Sequence, residues 1–196
     1  MLKEKKLPNS ELIFLFQGNF FEGRGIEKLI HHWIKLRPKR AILILRGPES
    51  FLKKKCRSII EDITDSEIKI TLAPAVTEDE LISEAAKADI GIIPYEATSI
   101  NNLYCCPNKL SQYLQAGLPI LSNDLPFISN ILDESGAGIK FDINAYESFA
   151  VAVSKVLNDR QLIETLSLNA TKYAENIFHW DNFCAPFILE LKKDAI

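Results

Sequence analysis

The sequence lacks any long apolar run: the longest, Ala41–Leu45 and Ile90–Pro94, are far shorter than a membrane span. No leader pattern of charged, apolar and cleavage regions opens the chain, and the Met1–Lys6 stretch, though basic, is expected to lead straight into a strand. Positive charge is not in excess. With 23 Lys and Arg against 26 Asp and Glu the formal charge is −3, which argues against nucleic acid as the main partner, because such binding needs a surplus of phosphate-neutralising side chains. Any anion site must therefore be local. The four cysteines, Cys56, Cys105, Cys106 and Cys184, form no metal-ligand or redox spacing with one another or with histidine. Adjacent Cys105 and Cys106 rarely meet disulfide geometry, so they read as small apolar loop residues in a reducing, cytoplasmic setting. His31, His32 and His179 sit in helical surroundings where packing or solvation suffices, and no metal motif appears.

What is present is the composition of an ordinary globular protein: 196 residues, 47% hydrophobic and 25% charged, with no internal repeat or linker. One domain over residues 1–196 is expected. Short runs rich in Ile, Leu and Val recur at Leu12–Gln17, Ala41–Arg46, Ile68–Leu72, Ile90–Pro94, Pro119–Ser122 and Gly138–Phe141. Their length and continuity suit buried parallel strands. Between them lie helical patterns at Gly25–Leu36, Ser50–Ile63, Glu78–Ala88, Pro107–Ala116, Pro126–Asp133 and Tyr146–Leu157. Two more, Asp159–Glu175 and Asp181–Lys193, close the chain, the last carrying Phe183, Phe187, Ile188 and Leu191. The alternation predicts an α/β fold, a Rossmann-like parallel sheet of about six strands with helices on both faces and two closing C-terminal helices. Thr77 with Glu80, and Asn144 with Glu147, have the spacing of capping boxes and predict helix starts.

In such a sheet, ligands bind where the carboxyl ends of strands meet helix N-termini. That rule selects the loops Gly18–Gly25, Gly47–Ser50, Ala73–Thr77, Tyr95–Asn108 and Asn123–Pro126. Gly18–Gly25 holds three glycines and ends in Arg24-Gly25, a layout that suits a phosphate approached by backbone N–H groups and one guanidinium. Pro107-Asn108-Lys109-Leu110 starts a helix at the same edge, with Pro in the first turn and Asn as cap; Lys109 is the second candidate cation.

Four segments in order, Gly18…Arg24-Gly25, Leu45-Arg46-Gly47-Pro48, Ala88-Asp89-Ile90-Gly91-Ile92-Ile93-Pro94-Tyr95 and Pro107-Asn108-Lys109-Leu110-Ser111-Gln112…Gly117-Leu118-Pro119, resemble the C-terminal domain of group 1 retaining glycosyltransferases of the GT-B fold. The likeness runs from Leu12 to the C-terminus. It implies a donor-binding domain for a nucleotide-diphospho-sugar, UDP- or GDP-linked, serving sugar transfer to a glycan or lipid-linked acceptor in polysaccharide assembly, with no metal or other cofactor. The diphosphate would meet Gly18, Asn19, Arg24, Gly25, Asn108 and Lys109. Gly47, Ala75, Val76 and Gln112 would meet the base and ribose. The resemblance also shows departures: Asn19 stands where a first cation is usual, and Tyr104 and Gln112 stand where relatives carry a pair of Glu. Gln112 would then accept one ribose hydroxyl through its carbonyl oxygen. No catalytic nucleophile is assigned. The acceptor-binding N-terminal half is expected to be absent or a partner subunit, leaving this half inactive alone, and any membrane contact would belong to that missing half. Two alternatives stay open: a degenerate nucleotide-sugar-binding or scaffolding module, and half of a sugar-nucleotide epimerase of the same fold.

Overall fold

Each apolar run of the sequence becomes a strand, and those at Leu12–Gln17, Ile90–Ile93 and Ile120–Asn123 are covered on both faces. The computed structural model describes residues 10–193. Strands β1 (Leu12–Gln17), β2 (Ala41–Arg46), β3 (Ile70–Ala73), β4 (Ile90–Ile93), β5 (Ile120–Asn123) and β6 (Gly138–Phe141) form one parallel sheet in the order β3-β2-β1-β4-β5-β6. The order reverses between β1 and β4. At that point the crossovers on the two sides diverge and leave a crevice at the carboxyl edge.

The helices are α1 (Ile26–Leu36), α2 (Phe51–Glu61), α3 (Leu81–Ala85), α4 (Ile100–Tyr104), α5 (Asn108–Gln115), α6 (Pro126–Ser135), α7 (Tyr146–Asn158), α8 (Arg160–Asn176) and α9 (Trp180–Lys193). Their apolar stripes and the two sheet faces share one core; Trp33 of α1, for example, meets Phe14 of β1 edge to face at 5.0 Å. Helix α5 is tied to β1 by Tyr113, whose hydroxyl donates to the Leu15 carbonyl at 3.0 Å and accepts from the Gln17 N–H at 3.0 Å. Two buried hydrogen bonds thus set the height of α5 against the switch point, and with it the positions of Lys109 and Gln112.

Four local expectations are corrected. The helix expected at Glu78–Ala88 is split into a 3₁₀ turn, Glu78–Glu80, and α3, although its Thr77–Glu80 capping box forms as anticipated. Asn144 does not cap α7. Ala145 holds the cap position, while the Asn144 Oδ1 accepts from Lys28 Nζ of α1 at 2.6 Å, an interaction with a cation that outcompetes a local turn. Pro107 occupies the cap position of α5 and Asn108 is its first helical residue, so Asn108 is not the cap either. The Tyr95–Asn108 loop contains α4, started by Ser99, whose side chain accepts from the Asn102 N–H. The Met1–Lys6 stretch and the side chain of Phe183 lie outside the described residues. Among the described residues no helix is long and apolar enough to cross a membrane.

Candidate functional site

At the carboxyl ends of β1 to β4 the connecting loops enclose a cleft of about 580 Å³. Gly18, Asn19 and Arg24 enter it from the β1–α1 loop, Gly47 from the β2–α2 loop, Ala75 and Val76 from beyond β3, and Asn108, Lys109 and Gln112 from α5. Nine of the ten residues singled out from the sequence therefore line one cavity. The tenth, Gly25, is buried outside the lining at φ +69°, and a Cβ there would stand 1.8 Å from the Pro94 carbonyl oxygen. Its missing side chain lets the start of α1 cross the end of β4.

The cations converge on one ring. Arg24 Cζ lies 4.1 Å and Lys109 Nζ 4.2 Å from the centroid of Tyr95, the second residue after β4 at the switch point. Lys109 is only 5% exposed; its ammonium donates to the Tyr95 hydroxyl and lies 5.0 Å from the Phe16 ring centroid. A Cβ on Gly18 would come within 3.3 Å of that ammonium, so the glycine leaves the space Lys109 occupies. Among the described residues, neither Arg24 nor Lys109 pairs with a carboxylate. Burial first, and the Arg24 charge second, lower the Lys109 pKa to about 7. The Tyr95 hydroxyl is pushed up to about 12, again chiefly by burial, so it stays a neutral donor and acceptor.

Lys53 shows what a satisfied buried lysine looks like here. It is 2% exposed, but its Nζ donates to the Gly47 carbonyl at 2.7 Å and the Ala73 carbonyl at 2.8 Å and pairs with Glu49 at 3.2 Å. Lys53 clamps the ends of β2 and β3 together. Lys109, with one neutral partner, has donors left for an anion.

The sequence reading missed several lining residues. Gln17 and Arg46 end strands and Tyr95 lies two residues past one, all at the switch-point edge, and that position was the signal available. Gln17 is 2% exposed and receives Arg46 Nη1 on its Oε1 at 3.2 Å; Arg46 Nη2 also pairs with Glu84 at 3.2 Å. Gln17 Nε2 donates to the Leu81 carbonyl and to Gln112 Oε1, each at 3.1 Å. The Gln112 carbonyl, expected to accept a ribose hydroxyl, already accepts from Gln17 and keeps one lone pair for a further donor. Cys105 and Cys106 also line the cleft; burial raises both thiols above their ordinary range, in keeping with their reading as unreactive loop residues. Tyr104 is exposed and outside the lining.

The sequence model of the family described as Glycosyl transferases group 1 matches residues 11–159. The chain belongs to the group 1 glycosyl transferases. The matched span of this group 1 chain contains every residue of the cleft. No curated protein sequence matches it. Solved structures match its fold closely. HepE of Anabaena, solved in complex with UDP, has a TM-score of 0.77 at 14% identity, over 94% of this chain and 49% of that one. Sucrose-phosphate synthase from Thermosynechococcus elongatus gives 0.75 at 15% identity, over 95% of this chain and 46% of that one. WaaG, a glycosyltransferase involved in lipopolysaccharide biosynthesis, gives 0.69 at 17% identity, over 93% and 46%. This chain spans about half the length of each.

Proposed function

We propose that the chain is the donor-binding domain of a group 1 glycosyltransferase and that its cleft holds a nucleotide-diphospho-sugar. The observation that carries the reading is the Arg24–Tyr95–Lys109 cluster, two cations without carboxylate partners in a half-enclosed cleft at a topological switch point. Burying an uncompensated ammonium is costly, and a diphosphate supplies the missing counter-charge. Gly18, Asn19 and the start of α5 would add hydrogen-bond donors to the same group. Gly47, Ala75 and Val76 would offer backbone and small side chains to the base.

The chemistry follows from where charge builds. As the bond from the anomeric carbon to the diphosphate breaks, negative charge grows on the leaving oxygens beside Arg24 and Lys109. Donors fixed in position around the diphosphate stabilise that charge more than they stabilise the bound donor, which lowers the barrier. Retention at the anomeric carbon, an acceptor half supplied by a further domain or subunit, and a place in polysaccharide assembly at the cytoplasmic side of a membrane belong to this proposal. The UDP complex of HepE supports UDP as the first ligand to try.

Calorimetric titration with UDP, GDP and ADP tests it. At least one is expected to bind, and Arg24→Ala is expected to weaken that binding by about ten- to a hundredfold, as loss of a charge-assisted contact does. Absence of binding by all three, or affinity unchanged in Arg24→Ala, would overturn the reading.

A further inference from the structure

Helix α4 has five residues and lies largely in water: Ile100 at its start is 80% exposed and Tyr104 at its end 64%. Its one buried residue is polar. Asn102 is 8% exposed, and an amide in such a place is tolerated only when its hydrogen bonds are made. Its Nδ2 donates to the Gly23 carbonyl at 3.4 Å and to Thr98 Oγ1 at 3.2 Å. A carbonyl only accepts, so the nitrogen is the end of the amide that faces Gly23. The same carbonyl receives the Glu96 N–H at 2.9 Å, from the segment that leaves β4. Gly23 is thus held from the β4–α4 side by two donors.

Arg24 sits between Gly23 at φ +75° and Gly25 at φ +69°, two residues without a Cβ, whose backbone is the freest in any chain when nothing holds it. Here both are held. A Cβ on Gly23 would stand 2.4 Å from Asn102 Nδ2, so the amide fills the space that the glycine leaves, and Gly25 is pressed onto Pro94. Between these fixed points Arg24 donates its N–H to the Phe21 carbonyl at 3.2 Å and carries its guanidinium to the Tyr95 ring. We propose that Asn102 is a positioning residue for Arg24: by holding the Gly23 carbonyl it fixes the turn that aims the guanidinium into the cleft before an anion arrives. The proposal rests on the donor-site reading, in which Arg24 meets the diphosphate. An arginine set in advance binds without giving up the freedom of a loose glycine turn, so Asn102 adds affinity although it lies outside the cleft lining.

The experiment is calorimetry on the 196-residue chain with UDP, GDP and ADP, comparing Asn102→Ala and Asn102→Asp in the wild-type and Arg24→Ala backgrounds. For the nucleotide that binds, Asn102→Ala is expected to weaken affinity about three- to tenfold, the scale of one hydrogen bond. Asn102→Asp keeps the shape but sets an acceptor against the Gly23 carbonyl, and should weaken it at least as much. A residue that only steadies the fold would cost the same with or without Arg24. One that acts through Arg24 should cost less than about twofold once Arg24 is gone, the non-additivity of coupled sites. Unchanged affinity in whichever of the two variants folds, or a loss undiminished in the Arg24→Ala background, would overturn the proposal while leaving the donor site standing. Failure of both variants to fold would do the same, since Asn102 would then belong to the fold and not to the site. No binding by any of the three nucleotides, or affinity unmoved by Arg24→Ala alone, would overturn both.

Discussion

Lys109 is the residue on which the site's energetics turn. In an unfolded chain a lysine titrates near 10.4, whereas here burial and Arg24 bring it to about 7. Between those values the unfolded chain binds more protons than the folded one, so Lys109 makes the free protein's stability rise with pH across that window. Below pH 7 the cost of the buried charge is present in full. Lys109→Met, which keeps the apolar stem and removes the charge, is expected to stabilise the free protein at pH 6 by about 1–3 kcal/mol while weakening nucleotide binding at least about tenfold. A diphosphate has the opposite effect on the proton. It raises the lysine pKa, so binding takes up a proton above pH 7 and affinity falls as pH rises. Titration at pH 8 in buffers of different ionisation enthalpy should show that uptake in the wild type and its loss in Lys109→Met. A lower melting temperature of the variant at pH 6, or equal uptake in both, would contradict the assignment. At this scale the sequence was informative about chemical type but not about state. Arg24 and Lys109 were recognisable as cations at the ligand edge, yet nothing in the chain order says that both meet Tyr95, or that Arg46, Gln17 and Gln112 are joined by hydrogen bonds.

Among the elements, β4 and α5 are the pair that holds the site to the sheet. A Cβ on Gly91, in the middle of β4, would stand 2.4 Å from the Tyr113 ring, too close for the ring to remain. Gly91→Ala must push the ring, and with it the two buried bonds of the Tyr113 hydroxyl to β1. The expected cost is about 1–3 kcal/mol of stability, the usual range for overpacking a core, together with weaker nucleotide binding because Lys109 and Gln112 ride on the same helix. Chemical denaturation and the UDP titration measure the two effects. Full stability in Gly91→Ala would show that α5 can shift freely. The strands were legible because a run such as Ile90–Ile93 is apolar on both faces, a pattern few other structures produce. The Thr77–Glu80 box was legible because its two bonds are local. Helix α4 was not: it is short, and its place depends on Asn102, a polar residue buried against Gly23, with its Nδ2 bonded to the Gly23 carbonyl and Thr98 Oγ1. Asn144 failed as a cap for the same reason, a partner distant in sequence.

For the whole molecule, the six strands and the α/β class follow from alternation of patterns, but the reversal between β1 and β4, which makes the cleft, is not written in the order of the runs. The same scale separates the body of the domain from α9. Phe178 stacks on Tyr173 at 6.1 Å and packs against the core. Beyond it the described large apolar side chains are open: Trp180 is 77% exposed, Phe187 64% and Leu191 54%. Apolar surface left in water this way adds little to the fold and favours association with another surface. Ending the chain after His179 is therefore expected to change stability by less than about 1 kcal/mol, a shift in melting temperature of about 2–4 °C at most for a chain of this size. UDP affinity should not change, since no described residue of α9 lines the cleft. Concentration-dependent self-association, followed by sedimentation velocity, should fall. A melting temperature lowered by more than about 8 °C would mean that α9 contributes to the core after all.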